Sequence, residues 1–192
     1  QSMIISPKFN YDDLLVGDKD MLFIASRIYG YGEIYTATVT TPSGRQQKVE
    51  INLEDIKAKE IDYSVFANDQ NSLMYQYENQ FGKYTLEFKL LTVGDLKRIK
   101  QRLDKSPVNG LREEVTARFE QMILSVNGNS DPNFIKLFIN NDFLAKDSRK
   151  FRDYLTSIQP GPDTNIDIID EETGLPFRTT ITFGPDFLWP DA

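Results

Sequence analysis

The 192-residue sequence contains no cysteine and no histidine. The lack of cysteine excludes disulfides and thiol nucleophiles, and the lack of histidine removes the side chain that most often serves as an acid or base in enzymes. Together the two absences remove the usual protein ligands of zinc and other transition metals. We therefore expect a protein that is not an enzyme, with no catalytic residues, no metal site and no cofactor.

Long apolar runs and an excess of positive charge are lacking as well. No apolar stretch approaches the roughly 20 residues of a membrane-spanning helix, and no signal peptide pattern is recognisable, so we expect a cytosolic protein. Lys and Arg total 22 against 29 Asp and Glu, a formal net charge of −7. This charge disfavours phosphate backbones and anionic lipids. We expect neither nucleic acid nor membrane as a partner, and the oligomeric state stays open.

The pattern of apolar residues predicts an α+β fold with several β-hairpins and a central set of helices. The length suits a single domain over residues 3–192, and Gln1 and Ser2 are interpreted as the remnant of a cleaved tag. Alternating apolar residues around turns predict hairpins at residues 34–40 with 48–53, 73–77 with 84–91, and 165–169 with 177–183. We expect the first and last hairpins to pair in one sheet, with the helices of residues 92–158 packed in between.

Capping residues indicate where the first helices begin. Asp18 is predicted to cap the longer of two helices near the start of the chain. Thr92 and Asp95 have the spacing of a capping box, which places another helix after Thr92. A further helix is predicted from residue 111, and its end at residues 123–126 fits a strand equally well.

The helix predicted to start at Asp147 separates apolar from basic residues. Phe151 and Leu155 fall on one face, whereas Arg149 and Arg152 fall on the other. On a chain this acidic, such a basic cluster is usually a solvated face, and ion pairs with a partner are the functional alternative. Arg149 and Arg152 are therefore candidate interface residues.

Large apolar side chains are concentrated at the end of the sequence. Phe187, Leu188 and Trp189 lie where most domains have disposable polar residues. Burial of such side chains stabilises by roughly 25 cal/mol per Å² of apolar area. The tail is therefore predicted to dock, either in the chain's own core, which we favour, or on a partner.

Three tyrosines beside the first hairpin form a second candidate interface. Tyr29, Tyr31 and Tyr35 lie close together in the sequence, and tyrosine is enriched in protein–protein interfaces. Most of the other aromatic residues follow the periodicity of core positions. These tyrosines therefore indicate a protein that binds another protein.

Acidic residues in the last hairpin permit a different interpretation. Asp167, Asp170, Glu171 and Glu172 have the oxygen ligands that Mg²⁺ or Ca²⁺ prefers, which would suit a metal-dependent hydrolase. Acids at a hairpin tip are, however, ordinary solvated turn residues. We expect no metal here, and the hydrolase ranks below a binding protein.

A series of short motifs, in order along most of the chain, resembles the T-even phage baseplate hub protein family. The motifs are Leu14-Leu15-Val16-Gly17-Asp18, Arg27-Ile28-Tyr29-Gly30-Tyr31-Gly32, Leu90-Leu91-Thr92-Val93-Gly94-Asp95, Ser125-Val126-Asn127-Gly128, Asp147-Ser148-Arg149 with Arg152, and Phe187-Leu188-Trp189-Pro190. Each motif alone is weak, since these residue types recur in many proteins, but the ordered series is specific.

The resemblance implies a non-enzymatic protein of contractile phage tails. It would act as a baseplate hub subunit or hub assembly factor, in the host cytoplasm during assembly or in the virion baseplate. Its partners would be other tail or hub proteins, including the tape-measure protein. Family members often have Cys-x-x-Cys knuckles in the first and last hairpins, which this chain lacks, so no zinc is carried over. The alternative is a small peptide- or protein-binding module unrelated to phage tails.

Overall fold

The computed structural model describes residues 10–66, 71–105, 110–183 and 187 as a mixture of helices and short strands. The helices are α1 (Val16–Tyr31), α2 (Val93–Leu103), α3 (Leu111–Met122), α4 (Pro132–Asn141) and α5 (Ala145–Ile158). The strands are β1 (Ile34–Thr40), β2 (Gln46–Asn52), β3 (Leu73–Asn79), β4 (Gly82–Phe88), β5 (Ile123–Val126), β6 (Asn165–Ile169) and β7 (Pro176–Thr180). This content confirms the predicted α+β class.

The chain forms two compact units. The first comprises residues 1–16 and 60–159, and the second comprises residues 17–59 and 160–192. Each unit has its own hydrophobic core. The second unit is therefore assembled from two segments that are distant in the sequence. The single domain over residues 3–192 stays a prediction.

The core of the first unit lies against the antiparallel sheet β3-β4-β5. Leu86 and Phe88, two residues apart on β4, are completely buried, as the alternating pattern predicts. The ring of Phe88 meets that of Phe151 on α5 edge to face, with 5.0 Å between the ring centres. Residues 123–126 form β5 rather than the last turn of α3, because they pair with β4 as the third strand.

Two of the predicted helix caps are wrong. Helix α1 begins at Val16, so Asp18 lies within its first turn. Helix α5 begins at Ala145, and Asp147 also lies within the first turn, where its carboxylate accepts a hydrogen bond of 2.9 Å from Asn79 Nδ2. The dipole of a helix favours an acidic residue in the first turn as it does at the cap, so composition alone does not separate the two positions.

The second unit contains two separate hairpins. Within the described residues, β1 pairs with β2 and β6 pairs with β7, each as a two-stranded sheet. The expected pairing of the first and last hairpins in one sheet is therefore wrong, and α2 to α5 belong to the first unit. A cleft lined by β1 and by the end of β7 takes the place of that pairing.

Side-chain contacts hold the two hairpins together at their turns. Gln47 Nε2 donates to the carbonyl of Ile169 at 3.0 Å, and the N–H of Glu171 donates to Gln47 Oε1 at 3.2 Å. Arg45 forms an ion pair of 3.0 Å with Glu172. Side-chain contacts at the turns, rather than backbone hydrogen bonds between strands, therefore join the first and last hairpins.

Candidate interaction surfaces

The tyrosines near the end of α1 differ in exposure. Tyr29 is 88 % exposed and Tyr31 is 54 % exposed, whereas Tyr35 is 8 % exposed. Tyr35 belongs to the core of the second unit, because β1 turns its odd-numbered side chains inward. Of the three candidate interface tyrosines, Tyr29 and Tyr31 thus offer surface to a partner.

Arg27 lies next to these tyrosines, and its sequence motif predicted no separate role for it. It is 8 % exposed, and its guanidinium stacks over the ring of Tyr31, four residues later on the helix. Its buried Nε and Nη1 atoms have no hydrogen-bond partner among the described residues. An unpaired polar atom is costly to bury, so Arg27 is a weak point in the stability of α1. The i, i+4 spacing of an arginine and a tyrosine was the available signal.

The basic residues of α5 are exposed, as the helical pattern predicts. Phe151 and Leu155 are buried, while Arg149 and Arg152 lie on the outer face. Within the described part of the chain, neither arginine forms an ion pair, and Arg152 Nε makes a long contact of 3.4 Å with the carbonyl of Ser148. Both charges are therefore available to an acidic partner.

Arg152 also borders a cleft of about 260 Å³ in the first unit. The cleft lies between α3 and α5, and apolar side chains that include Phe119, Met122 and Leu155 line it. Arg118 stands at the same cleft and pairs with Glu114 at 2.8 Å. The cleft thus combines an apolar lining with two guanidinium groups, one of which has no carboxylate partner among the described residues.

The described part of the C-terminal tail packs in the core of the second unit. Phe187 is 1 % exposed, and its ring lies 5.0 Å from that of Tyr35 and 4.3 Å from that of Phe183. These contacts support a core role for Phe187. Leu188 and Trp189, the other two candidate interface residues of the tail, lie outside the described residues.

The capping box of α2 is confirmed, and it is part of a larger polar network. Thr92 Oγ1 accepts from the N–H of Asp95, and the carboxylate of Asp95 accepts from the N–H of Thr92. The same carboxylate accepts hydrogen bonds from Lys89, Arg98 and Gln121 at 2.6 to 2.9 Å. One buried carboxylate thus fixes the junction of β4 and α2 and ties it to α3.

These donors control the ionisation of Asp95. Burial favours the protonated carboxyl, but the hydrogen bonds from Lys89, the Thr92 backbone and Arg98 outweigh that effect and lower the pKa of Asp95 to about 2. All the donors belong to the protein itself. The carboxylate is therefore a structural anchor, and it is already saturated with hydrogen bonds.

The acids of the last hairpin serve its turn. The carboxylate of buried Asp170 accepts a hydrogen bond of 2.9 Å from the N–H of Glu172, whereas Asp167 is exposed on β6. Within the described ranges, no three acidic side chains come together in a way that could hold a metal ion. In that same part of the chain, no helix has the length and apolar character to span a bilayer.

Comparison with known proteins gives one result. A family model described as T4 bacteriophage base plate protein matches residues 3–132, which is more than half of the 192 residues. No curated protein and no solved structure shows significant similarity to the chain. The motifs at residues 147–152 and 187–190 lie beyond the matched part. The match argues against a binding module unrelated to phage tails.

Proposed function

The chain belongs to the T4 bacteriophage base plate protein family, and we propose that it acts as a baseplate hub subunit or hub assembly factor, without catalysing a reaction. Its work is contact with other tail proteins during assembly of the contractile tail. The family match is the observation that carries this proposal. The absence of cysteine and histidine from the sequence agrees with it.

The cleft between α3 and α5 is the contact surface that the geometry favours. Its apolar lining would bury an apolar side chain of a partner, and Arg118 and Arg152 would meet acidic groups beside it. Arg152, which has no carboxylate partner among the described residues, can form a bidentate pair with a carboxylate of the partner. The partner segment is therefore expected to carry Asp or Glu next to a large apolar residue.

Charge reversal at this cleft tests the proposed contact. Arg152→Glu places a negative charge at the cleft, and Arg149→Glu makes the same change on the same helix outside the cleft lining. Each variant would be co-expressed with hub proteins and the tape-measure protein of the same phage, and the co-purified fraction would be measured. We expect a loss of about tenfold or more for Arg152→Glu and a smaller loss for Arg149→Glu. Equal effects would assign the contact to the basic face of α5 rather than to the cleft.

The role in assembly requires a second measurement. Quantitative mass spectrometry of virions and of tail-assembly intermediates would follow peptides of this chain. A fixed ratio to other tail proteins in the virion identifies a hub subunit, and presence in the intermediates alone identifies an assembly factor. Absence from both would contradict the proposal.

A further inference from the structure

Each strand of the two hairpins in the second unit has a neighbouring strand on one side only within the described residues. Among the described residues, β1 has only β2 beside it, and β7 has only β6. We call the sides of β1 and β7 that face away from these neighbours the outer edges. An outer edge presents backbone N–H and C=O groups that can pair with another strand.

The hydrogen bonds at the ends of the first hairpin identify the outward groups of β1. The N–H of Leu53 donates to the carbonyl of Glu33, and the N–H of Thr41 donates to the carbonyl of Arg45, both at 2.8 Å. In an antiparallel pair, every second residue bonds to the partner and the residues between them turn their backbone groups away. The register therefore directs the backbone groups of Thr36, Thr38 and Thr40 to the outer edge of β1.

The same argument applies to β7. The N–H of Ile181 donates to the carbonyl of Thr164 at 2.8 Å, and the N–H of Asp170 donates to the carbonyl of Leu175 at 3.0 Å. Odd-numbered residues of β7 thus bond to β6, and the backbone groups of Arg178 and Thr180 point to the outer edge.

A cleft of about 460 Å³ borders both outer edges. Residues 35–40 and 179–182 line it, so consecutive residues of β1 contribute rather than every second one. Such a lining runs along the edge of a strand instead of over one face. Most of its side chains are threonine, and none is charged.

The volume of the cleft corresponds to a short piece of strand. A rise of about 3.3 Å, a strand spacing of about 4.8 Å and a sheet separation of about 10 Å give about 160 Å³ for each strand residue. A cleft of about 460 Å³ therefore accommodates about three residues. The contacts of Gln47 hold the hairpins together at their turns, so the site is preorganised.

We propose that an extended segment of another baseplate protein inserts as a strand between β1 and β7. It would join the hairpins in the order β2, β1, partner, β7, β6, in a strongly curved sheet whose outermost strands, β2 and β6, meet at one end through Gln47 and Ile169. The site is argued from this chain alone, and only the source of the strand rests on the proposed function. Because Ala37 and Val39 point inward while Thr36 and Thr38 point outward, the segment should alternate apolar and small polar residues without charge.

A second copy of this chain fits the site less well. All named strands in the described ranges are already paired, so a second copy offers no unpaired strand to insert. Each copy also carries a formal net charge of −7, which opposes self-association. A partner that contributes an unstructured, uncharged segment has neither difficulty.

Two proline variants on one rung of the first hairpin test the proposal. Thr38 and Lys48 are direct partners in the register, and both are non-bonded positions of the ladder. Thr38→Pro removes an N–H that faces the cleft, whereas Lys48→Pro removes one on the opposite edge of β2. Proline is tolerated at such outward positions, so both variants should fold. The probe is a displayed library of random peptides, selected on the unchanged protein.

We expect the selected peptides to alternate apolar and polar residues and to bind Lys48→Pro as well as the unchanged protein. Their affinity for Thr38→Pro should be lower by about tenfold or more. Hydrogen exchange should show slower exchange at Thr36, Thr38 and Thr40 when a peptide is bound. If either proline variant fails to fold, hydrogen exchange on the unchanged protein decides.

Recovery of no peptides, equal binding to both variants, or protection at other residues would overturn the inserted strand. A change from monomer to dimer that Thr38→Pro abolishes would assign the site to a second copy instead. These results do not depend on co-purification with hub proteins, so failure of this inference and failure of the proposed function are distinguishable.

Discussion

The guanidinium of Arg27 lies 4.7 Å from the centre of the Tyr31 ring, one helical turn further along α1. The Nε and Nη1 atoms of Arg27 are buried without a hydrogen-bond partner among the described residues, so the guanidinium relies on this cation–π contact. Contacts of this kind stabilise by about 0.5 to 2 kcal/mol, which does not offset the loss of hydration of the guanidinium. Arg27 therefore weakens the unit that contains it.

Replacement of Arg27 by methionine is expected to stabilise the protein. Methionine fills a similar volume and removes the unpaired charge, so the free energy of unfolding should rise by about 1 kcal/mol. Urea unfolding at neutral pH measures this change. Arg149→Met at an exposed position is the control and should stay within about 0.5 kcal/mol. A clear loss of stability in Arg27→Met would show that the guanidinium has a partner that its surroundings do not reveal.

Two glycines of α1 should respond in opposite ways to replacement by alanine. A Cβ atom at Gly17 would lie 1.7 Å from the carbonyl oxygen of Pro160, whereas one at Gly30 would have no heavy atom within 4 Å. Gly17→Ala should lower the free energy of unfolding by about 3 kcal/mol through overpacking. Gly30→Ala should raise it by about 0.5 kcal/mol, because alanine is the better helix former. Equal effects in urea unfolding would contradict the close contact at Gly17.

Removal of the Phe187 ring should weaken the core of the second unit. Phe187→Ala is expected to cost about 3 to 5 kcal/mol, because the ring is 1 % exposed and packs on Tyr35 and Phe183. Tyr29→Ala is the matched control, since that ring is 88 % exposed and its loss should change stability by less than about 0.5 kcal/mol. Thermal and urea unfolding of both variants provide the comparison. A small effect of Phe187→Ala would show that Phe187 does not pack in the core of the second unit in solution.

Asp95 should make the stability depend on pH in the acid range. Its pKa is about 2 in the folded chain, against an ordinary value of 3.8. A lowered carboxyl pKa stabilises the folded state above the ordinary value, by about 2 kcal/mol here, and this contribution is lost as the pH falls from about 4 towards 2. Urea unfolding at a series of pH values measures the effect.

The variant Asp95→Asn shows how much of the pH dependence of stability comes from Asp95. At neutral pH the variant should lose about 3 kcal/mol, because Lys89 and Arg98 lose the charge that they surround. The difference from the unchanged protein should shrink as the pH approaches 2. A difference that stays constant across this range would mean that the carboxyl is not ionised in the folded chain.

Local patterns predicted the parts of the fold that depend on neighbouring residues. The Thr92 and Asp95 capping box and the alternation of Leu86 and Phe88 needed no distant partner, and both are confirmed. Asp147 was misassigned as a cap because its partner, Asn79, lies on β3, far away in the sequence.

The candidate interaction surfaces were harder to predict from the sequence than the helices and strands. Spacing placed Arg149 and Arg152 on one face of a helix, but the cleft beside Arg152 depends on how α3 packs near α5. The burial of Arg27 likewise depends on tertiary packing, which composition does not encode. The contacts of Gln47 with Ile169 and Glu171, which join the two hairpins, are separated by more than 120 residues in the sequence and follow from no local pattern.

The second unit consists of two separate segments of the chain, so it cannot fold until both have been synthesised. Its two segments, residues 17–59 and 160–192, are separated by a hundred residues of the other unit. While the chain is being translated, β1 and β2 leave the ribosome well before Phe187, which packs on Tyr35. Nascent chains fold unit by unit in the order of synthesis, and pairings between distant segments form slowly. The first unit can therefore fold before the second, and the cleft between β1 and β7 forms only after residues 179–182 have left the ribosome.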